Sequence, residues 1–403
     1  MKALVYEAPQ VMTLRDVPAP SLGTDQVLIR VAFSGICGSE LSGYLGQNSL
    51  RRAPLVFGHE LSGWVEALGA DVPETAELHP GAAVTANPLV GCGTCGYCIT
   101  GRQQLCPHRL LLGAHVPGCN AELVAVPAHA VLPLPAAMSL HDAAMVEPAA
   151  CAVQAVQVSG VGPSSRALVV GAGPIGMFIL QVLTLHGVNE RYVSDLNSTR
   201  LARAVETGAI AVPVGPNGLS EAVQRLSVGH GVDVAFDAVG SAQTRRDCVV
   251  STAAGGRVIL VGLHSDETSF PVNSIIRSEI SLTGVFAYTP ANFRTALDWL
   301  ARRRIGLADG VVIAPLADGP DWYARLVAGE GAAKVLLTPG ATDTRTKTVC
   351  CHDSSTQHRL VPPRSPVRGA GERASAGRGA ARAGRKSAAA PGGCMTNERE
   401  GNR

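Results

Sequence analysis

The chain has 403 residues, and at roughly 100 to 200 residues per domain that length holds two or three domains and excludes a small disulfide scaffold. Its 34 Lys or Arg against 32 Asp or Glu give a formal charge of +2. Residues 341–403 carry 12 of those cations and 5 of those acids, so the first 340 residues sum to 22 − 27 = −5, a mildly acidic body with no basic stripe to attract nucleic acid or anionic lipid.

The segment Met1–Pro9 has an acid at Glu7 and a proline at Pro9, where an export signal needs an apolar run of at least about seven residues. The expected compartment is the cytoplasm, where the 11 cysteines stay reduced and clustered ones read as metal ligands. Residues 1–155 break short Val-rich and Ile-rich runs, such as Val27–Ala32 and Ala121–Val126, with Gly and Pro, which predicts a β-rich domain. Over 156–291 apolar strands alternate with helical stretches: Ala167–Val170, Arg191–Ser194, Val232–Phe236, Arg257–Val261 and Ile280–Thr283. That alternation predicts the α/β class with a parallel, doubly wound sheet. Ala167–Leu185 has about the length of a bilayer crossing, yet Pro174 and three glycines interrupt it, so it reads as strand, turn and helix. Residues 292–340 add an amphipathic helix over Phe293–Arg302 and a closing strand at Lys334–Leu337. Residues 341–403 contain no Phe, Trp, Tyr or Ile and cannot offset roughly 1 to 2 kcal/mol of backbone entropy per residue, which predicts a disordered tail.

Cys92, Cys95, Cys98 and Cys106 form a C-x2-C-x2-C-x7-C lobe at about 88–110. Four thiolates at this spacing can wrap a tetrahedral zinc at about 2.3 Å and leave no open position, so the site reads as structural. A second set is scattered: Cys37 in Gly35–Glu40, His59 and Glu60 after Gly58, and Glu147 in Val146–Pro148. A thiolate, an imidazole and a carboxylate can hold a catalytic zinc with an exchangeable position. Glu60 and Glu147 compete for the carboxylate role.

Leu168-Val169-Val170 leads into Gly171-Ala172-Gly173-Pro174-Ile175-Gly176 and then a helix-compatible stretch, the context in which glycines let a pyrophosphate approach a helix N-terminus. Asp195 lies 19 residues after Gly176 at the end of the next strand, placed to bind ribose hydroxyls and repel a 2′-phosphate. The expected cofactor is NAD, with Arg200 as the feature that keeps NADP as an alternative. Capping of the helix Asn197–Glu206 is the competing role for Asp195. Val261 and Leu263, at the end of a later strand, are the remaining cofactor-binding candidates.

Taken together, these residues resemble the zinc-dependent medium-chain dehydrogenase/reductase family, the alcohol and polyol dehydrogenases, across roughly residues 1–339. The resemblance implies a GroES-like catalytic domain formed by both ends of the chain around an inserted Rossmann domain, with the active site between them. It implies two zinc ions: a catalytic one at Cys37, His59, Glu60 or Glu147, and a structural one at Cys92, Cys95, Cys98 and Cys106. Hydride from a secondary alcohol would pass to NAD, giving the ketone, while Ser39 takes the alcohol proton and Glu60 joins the catalytic set. Glu40 stands where the family usually has Asp and would orient His59. A relay His of many relatives is replaced by Ser42, which implies a relay ending in water. The substrate-binding Arg of sorbitol dehydrogenases is replaced by Ala287, and an aromatic of the pocket wall by Asn120. The expected substrate is therefore a polyol, diol or cyclic polyol other than sorbitol. A threonine or amino-alcohol dehydrogenase of the same family is the nearer alternative, a non-catalytic cofactor-binding protein the more distant one. Relatives are commonly homodimers or homotetramers.

Overall fold

A computed structural model describes residues 1–214, 218–307, 310–330 and 332–340. The expected disorder of 341–403 lies outside the described residues.

The first sheet is organised on the strand Gln26–Gly35, where Val27, Ile29 and Val31 point into a core while Arg30 points out and pairs with Glu66 at 2.6 Å. This period-two pattern suits a strand with one buried face. Gln26–Gly35 pairs antiparallel with Glu60–Leu68 and with Leu123–Pro127. At its far end Ser34 and Gly35 pair with Leu337 and Leu336 of Lys334–Thr338, so the last described strand returns to the first domain. Ala83–Ala86 and Val131–Pro133 extend the sheet on one side, and Val311–Pro315 extends it on the other. The strand expected at Ala121–Val126 starts two residues later, because Ala121 bridges Ala3 and Glu122 bonds Lys2.

The second sheet is all parallel, in the order Ile210–Ala211, Glu190–Ser194, Arg166–Val170, Val232–Asp237, Thr252–Leu260, Ser281–Gly284. Arg166–Val170 is its central strand, buried from Ala167 to Val170, as a parallel strand covered on both faces must be. The order reverses on either side of that strand, which puts a ligand crevice at its C-terminal end.

The helix Val146–Ser159 packs against both Pro174–Leu185 and Pro290–Ala301, and one apolar core runs from Phe33 and Leu336 through these helices to Val169 and Phe236. It crosses residue 155 without a break and carries Glu147 in its first turn. No helix among the described residues is long and apolar enough to cross a membrane.

Candidate metal and cofactor sites

Cys37 is the N-cap of the short helix Gly38–Tyr44, which starts as the strand Gln26–Gly35 ends. His59 and Glu60 enter the neighbouring strand, Glu60–Leu68, whose Glu60 is paired in register with Gly35. The two antiparallel strands thus bring residues more than twenty positions apart to one point. One ligand atom each of Cys37, His59 and Glu60 lies within 4.8 Å of the others.

Glu40 orients the imidazole. Its Oε1 lies 2.7 Å from His59 Nδ1 and accepts from Gly58 N at 3.0 Å, while its Oε2 accepts from the Tyr323 hydroxyl at 2.6 Å. With Nδ1 facing this carboxylate, Nε2 is the nitrogen left to ligate, an arrangement that orients a metal-bound histidine. Burial would raise the Glu40 carboxyl, but His59, Arg51 and Tyr323 hold it down at about 2. Burial would lower His59, and Glu40 and Cys37 instead raise it well above its usual range.

Glu60 Oε1 is buried without a hydrogen-bond partner among the described residues, and Oε2 forms an ion pair with the buried ammonium of Lys334. Lys334 Nζ also donates to Ile36 O at 2.9 Å. Nothing in the sequence pattern marked Lys334 beyond its place at the head of an apolar strand, where a cation needs a buried partner. Glu147 lies outside the 4.8 Å cluster but within electrostatic reach of His59, Glu60 and Lys334. Burial pushes its carboxyl up to about 7, and Cys151 Sγ donates to its Oε1 at 3.9 Å. An orphaned carboxylate oxygen beside a thiol and an oriented imidazole fits a zinc ion with a position left over for substrate.

Ser39 Oγ donates to Cys37 Sγ at 3.4 Å and accepts from Arg51 Nη2 at 3.2 Å. Ser42 Oγ donates to Ser39 O at 2.9 Å, so its hydroxyl serves its own helix. Asn120 corrects an expectation. It is fully buried, its Oδ1 accepting from Ser34 Oγ at 2.6 Å and its Nδ2 donating to Tyr323 OH at 3.0 Å, so its amide braces Tyr323 and is not part of an open pocket wall. Ala287 has φ +48°, a left-handed backbone, in the segment between Phe286 and the buried Tyr288.

The four cysteines of the lobe also converge, with their Sγ atoms within 4.8 Å of one another and no disulfide among them. The helix Gly96–Ile99 and the turn Gln103–Leu105 carry the chain round the cluster. Cys92 Sγ and Cys98 Sγ are 4.0 Å apart. Backbone N–H groups of Thr94 and Cys95 lower the Cys92 thiol to about 5, whereas desolvation pushes Cys98 up to about 12. One cation between the four sulfurs would hold them all as thiolates at these separations, and the all-sulfur set fits zinc.

At the crevice of the parallel sheet, the chain turns at Gly171 with φ +100° and starts the helix Pro174–Leu185 behind Gly173. A Cβ on Gly176 would collide with Gly171 O, so the helix can approach this closely only with glycine there. Asp195 follows Glu190–Ser194 at the crevice, its Oδ2 accepting from Ala172 N at 2.7 Å and its Oδ1 from Asn197 N at 2.8 Å. The cap of the helix Ser198–Glu206 is Asn197, which accepts from Arg200 N at 3.0 Å, so Asp195 is not the capping residue. Val261 N donates to Asp237 O at 3.1 Å, and Leu263 is exposed beside the same rim.

The alcohol dehydrogenase GroES-like domain model matches residues 23–136, and the zinc-binding dehydrogenase model matches 174–302. A sorbitol dehydrogenase of Halalkalibacterium halodurans is 32% identical over 84% of this chain and 99% of its own length. The chain belongs to the zinc-dependent alcohol and polyol dehydrogenase family. An L-threonine 3-dehydrogenase of Streptomyces coelicolor is 33% identical over 79% of this chain and 92% of its own. A solved zinc-binding dehydrogenase of Sinorhizobium meliloti bound to NADP superposes with a TM-score of 0.75 at 29% identity, covering 84% of this chain and 99% of that one. As a member of this family the protein is a zinc-dependent oxidoreductase that moves hydride between a small secondary alcohol and a nicotinamide dinucleotide. The expected GroES-like and Rossmann architecture holds.

Proposed function

We propose that this dehydrogenase oxidises a polyol, vicinal diol or cyclic polyol to the ketone and prefers NAD to NADP. The observation that carries the reading is the convergence of Cys37, His59 and Glu60 with the Ser39 hydroxyl 3.4 Å from Cys37 Sγ. Cys37, His59 and Glu60 are assigned to the catalytic zinc, Glu147 to an alternative carboxylate position, and Cys92, Cys95, Cys98 and Cys106 to the structural zinc. Residues 1–155 and 292–340 are assigned to the catalytic domain and 156–291 to the dinucleotide domain.

A zinc ion held by Cys37, His59 and Glu60 would supply Lewis acidity toward the alcohol oxygen, and a nicotinamide dinucleotide in the crevice would supply the hydride acceptor. Glu40 holds the imidazole of His59, and Tyr323 holds Glu40. Ser39 Oγ takes the proton from the alcohol and passes its own on to water, because the Ser42 hydroxyl is turned to the backbone. Gly171, Gly173, Pro174, Ile175 and Gly176 form the turn for the pyrophosphate, with Val261 and Leu263 on the nicotinamide side. Asp195 at the crevice favours free ribose hydroxyls and disfavours a 2′-phosphate, despite Arg200 in the following helix.

Ala287 offers sorbitol no guanidinium, and a hydrogen bond to a charged donor is worth about 1.5 to 3 kcal/mol, or roughly ten- to hundredfold in binding. Short diols and cyclic polyols need no such donor. The threonine dehydrogenase relative favours amino alcohols as the second reading. Saturation kinetics on 2,3-butanediol, inositol, threonine, sorbitol and ethanol, each with NAD and NADP, test the proposal. Sorbitol or ethanol as the best substrate would overturn it. We further assign the enzyme to the cytoplasm, as a homodimer or homotetramer.

A further inference from the structure

Arg51 is a charged residue in an unexpected place. It is 4% exposed, and its guanidinium carbon lies 5.6 Å from the centroid of the Phe57 ring. Gly43 of the helix Gly38–Tyr44 makes the space: a Cβ there would come within 2.5 Å of Arg51 Cδ. Arg51 Nε is buried with no hydrogen-bond partner among the described residues. The group is thus desolvated without the full set of acceptors that normally compensates a buried guanidinium. Its one side-chain hydrogen bond among the described residues, from Nη2 at 3.2 Å, goes to Ser39 Oγ. The helix Gly38–Tyr44 carries Ser39 and Glu40 side by side.

We propose that Arg51 is a positioning residue for alcohol oxidation, fixing the Ser39 hydroxyl by donating to one lone pair of Oγ. This inference rests on the role given to Ser39 above. A hydroxyl oxygen has two lone pairs and one proton to place. With Arg51 on the first lone pair, the second is left for the O–H of the alcohol, and the Ser39 proton, which points at Cys37 Sγ in the structure, turns from the sulfur to water as it leaves. In the complete step the alcohol O–H bond breaks and its proton joins Ser39 Oγ, whose own proton goes to water. The carbinol C–H bond breaks and its electron pair goes with hydrogen to the nicotinamide of NAD, giving ketone and NADH. Arg51 gains and loses nothing, since its guanidinium is already protonated and cannot accept. In relatives with a relay histidine, the group beyond the hydroxyl can accept a proton. Here a permanent donor touches the hydroxyl, so its contribution is orientation and a fixed positive field.

The test uses full-length enzyme loaded with zinc, with 2,3-butanediol, inositol and threonine as substrates and NAD as acceptor. Wild type, Arg51→Gln, Arg51→Lys, Ser39→Ala and the Ser39→Ala/Arg51→Gln double variant are compared. Arg51→Gln should lower kcat roughly ten- to hundredfold, the scale of one charge-assisted hydrogen bond, with KM changed less than about threefold. Arg51→Lys, which keeps the charge and a donor, should fall between the wild type and Arg51→Gln. In the Ser39→Ala background Arg51→Gln should change kcat by less than about twofold, because its route of action is gone. Zinc content, and the visible spectrum of the cobalt-substituted enzyme, should match the wild type in both Arg51 variants. Undiminished turnover in Arg51→Gln overturns the inference, as does an equal loss with or without Ser39. Loss of zinc or of the fold in both Arg51 variants would make the residue structural and overturn it too. A wild type that oxidises none of the three alcohols removes the proposed function, and the inference with it.

Discussion

The hydroxyl of Tyr323 donates to Glu40 Oε2 at 2.6 Å, joining residues 283 positions apart in the sequence. Tyr323 lies on the helix Gly319–Val327, which belongs to the returning C-terminal segment, and Glu40 orients His59 from the other oxygen. The imidazole is therefore set by both ends of the chain. Glu40→Gln should weaken zinc at the Cys37–His59–Glu60 set about 10- to 100-fold while the cysteine lobe keeps its metal. Zinc counted during titration with a chelator checks this; two sites stripped in parallel, or none affected, would contradict it. Tyr323→Phe leaves Glu40 Oε2 without its donor and should cost about 1 to 3 kcal/mol of stability in urea unfolding.

Lys334 and Glu60 are a buried pair, with side chains 2% and 1% exposed. Burial would lower the lysine, yet Glu60 and Cys37 raise it, so the ammonium is retained. Removing one partner strands the other charge, and Lys334→Met should cost about 3 to 5 kcal/mol. A melting temperature close to that of the wild type would show that water or a proton compensates Glu60 instead.

Asn120→Phe and Ala287→Arg should behave differently, because the first residue is buried bracing and the second is not. Asn120→Phe deletes bonds to Ser34 and Tyr323 and adds volume to a closed space, so it should lower stability by about 1 to 3 kcal/mol and leave the ranking of alcohols as it was. Ala287→Arg should raise kcat/KM for sorbitol roughly ten- to hundredfold. Parallel kinetics on sorbitol and 2,3-butanediol distinguish the two. A changed ranking in Asn120→Phe would put that residue back in the pocket.

The proposed preference for NAD assigns cofactor choice to Asp195, whose carboxylate stands at the crevice with one oxygen on Ala172 N. The wild type should show the higher kcat/KM with NAD, and Asp195→Ser should narrow or reverse the ratio. Equal values for both cofactors in the wild type would transfer the decision to Arg200 or another cation.

Much of this arrangement was legible in the sequence because metal and phosphate sites use short, local spacings. Cys92 to Cys106 and Gly171 to Gly176 are such runs, and the strand before Gly171 and the helix after Gly173 gave the latter its meaning. Cys37, His59 and Glu60 are local in another sense, since a single antiparallel pairing joins their fragments. Lys334, Tyr323 and Arg51 were not legible, because each acts through a buried contact that depends on tertiary register. Asn120 was misread for the same reason: a polar residue in a pocket-lining position of relatives is, in this chain, satisfied from behind by Ser34 and Tyr323.

The most direct test follows the carbinol hydrogen. Zinc-loaded enzyme is given NAD and 2,3-butanediol deuterated at the carbinol carbons, with mass analysis of the nicotinamide product, alongside Cys37→Ser and Cys95→Ser. The account predicts deuterium in the NADH of the wild type and a weakened but detectable transfer in the less stable Cys95→Ser. Cys37→Ser should keep its fold and lobe zinc and transfer none. Deuterium transfer by Cys37→Ser at the wild-type rate, or unlabelled NADH from the wild type, would contradict it.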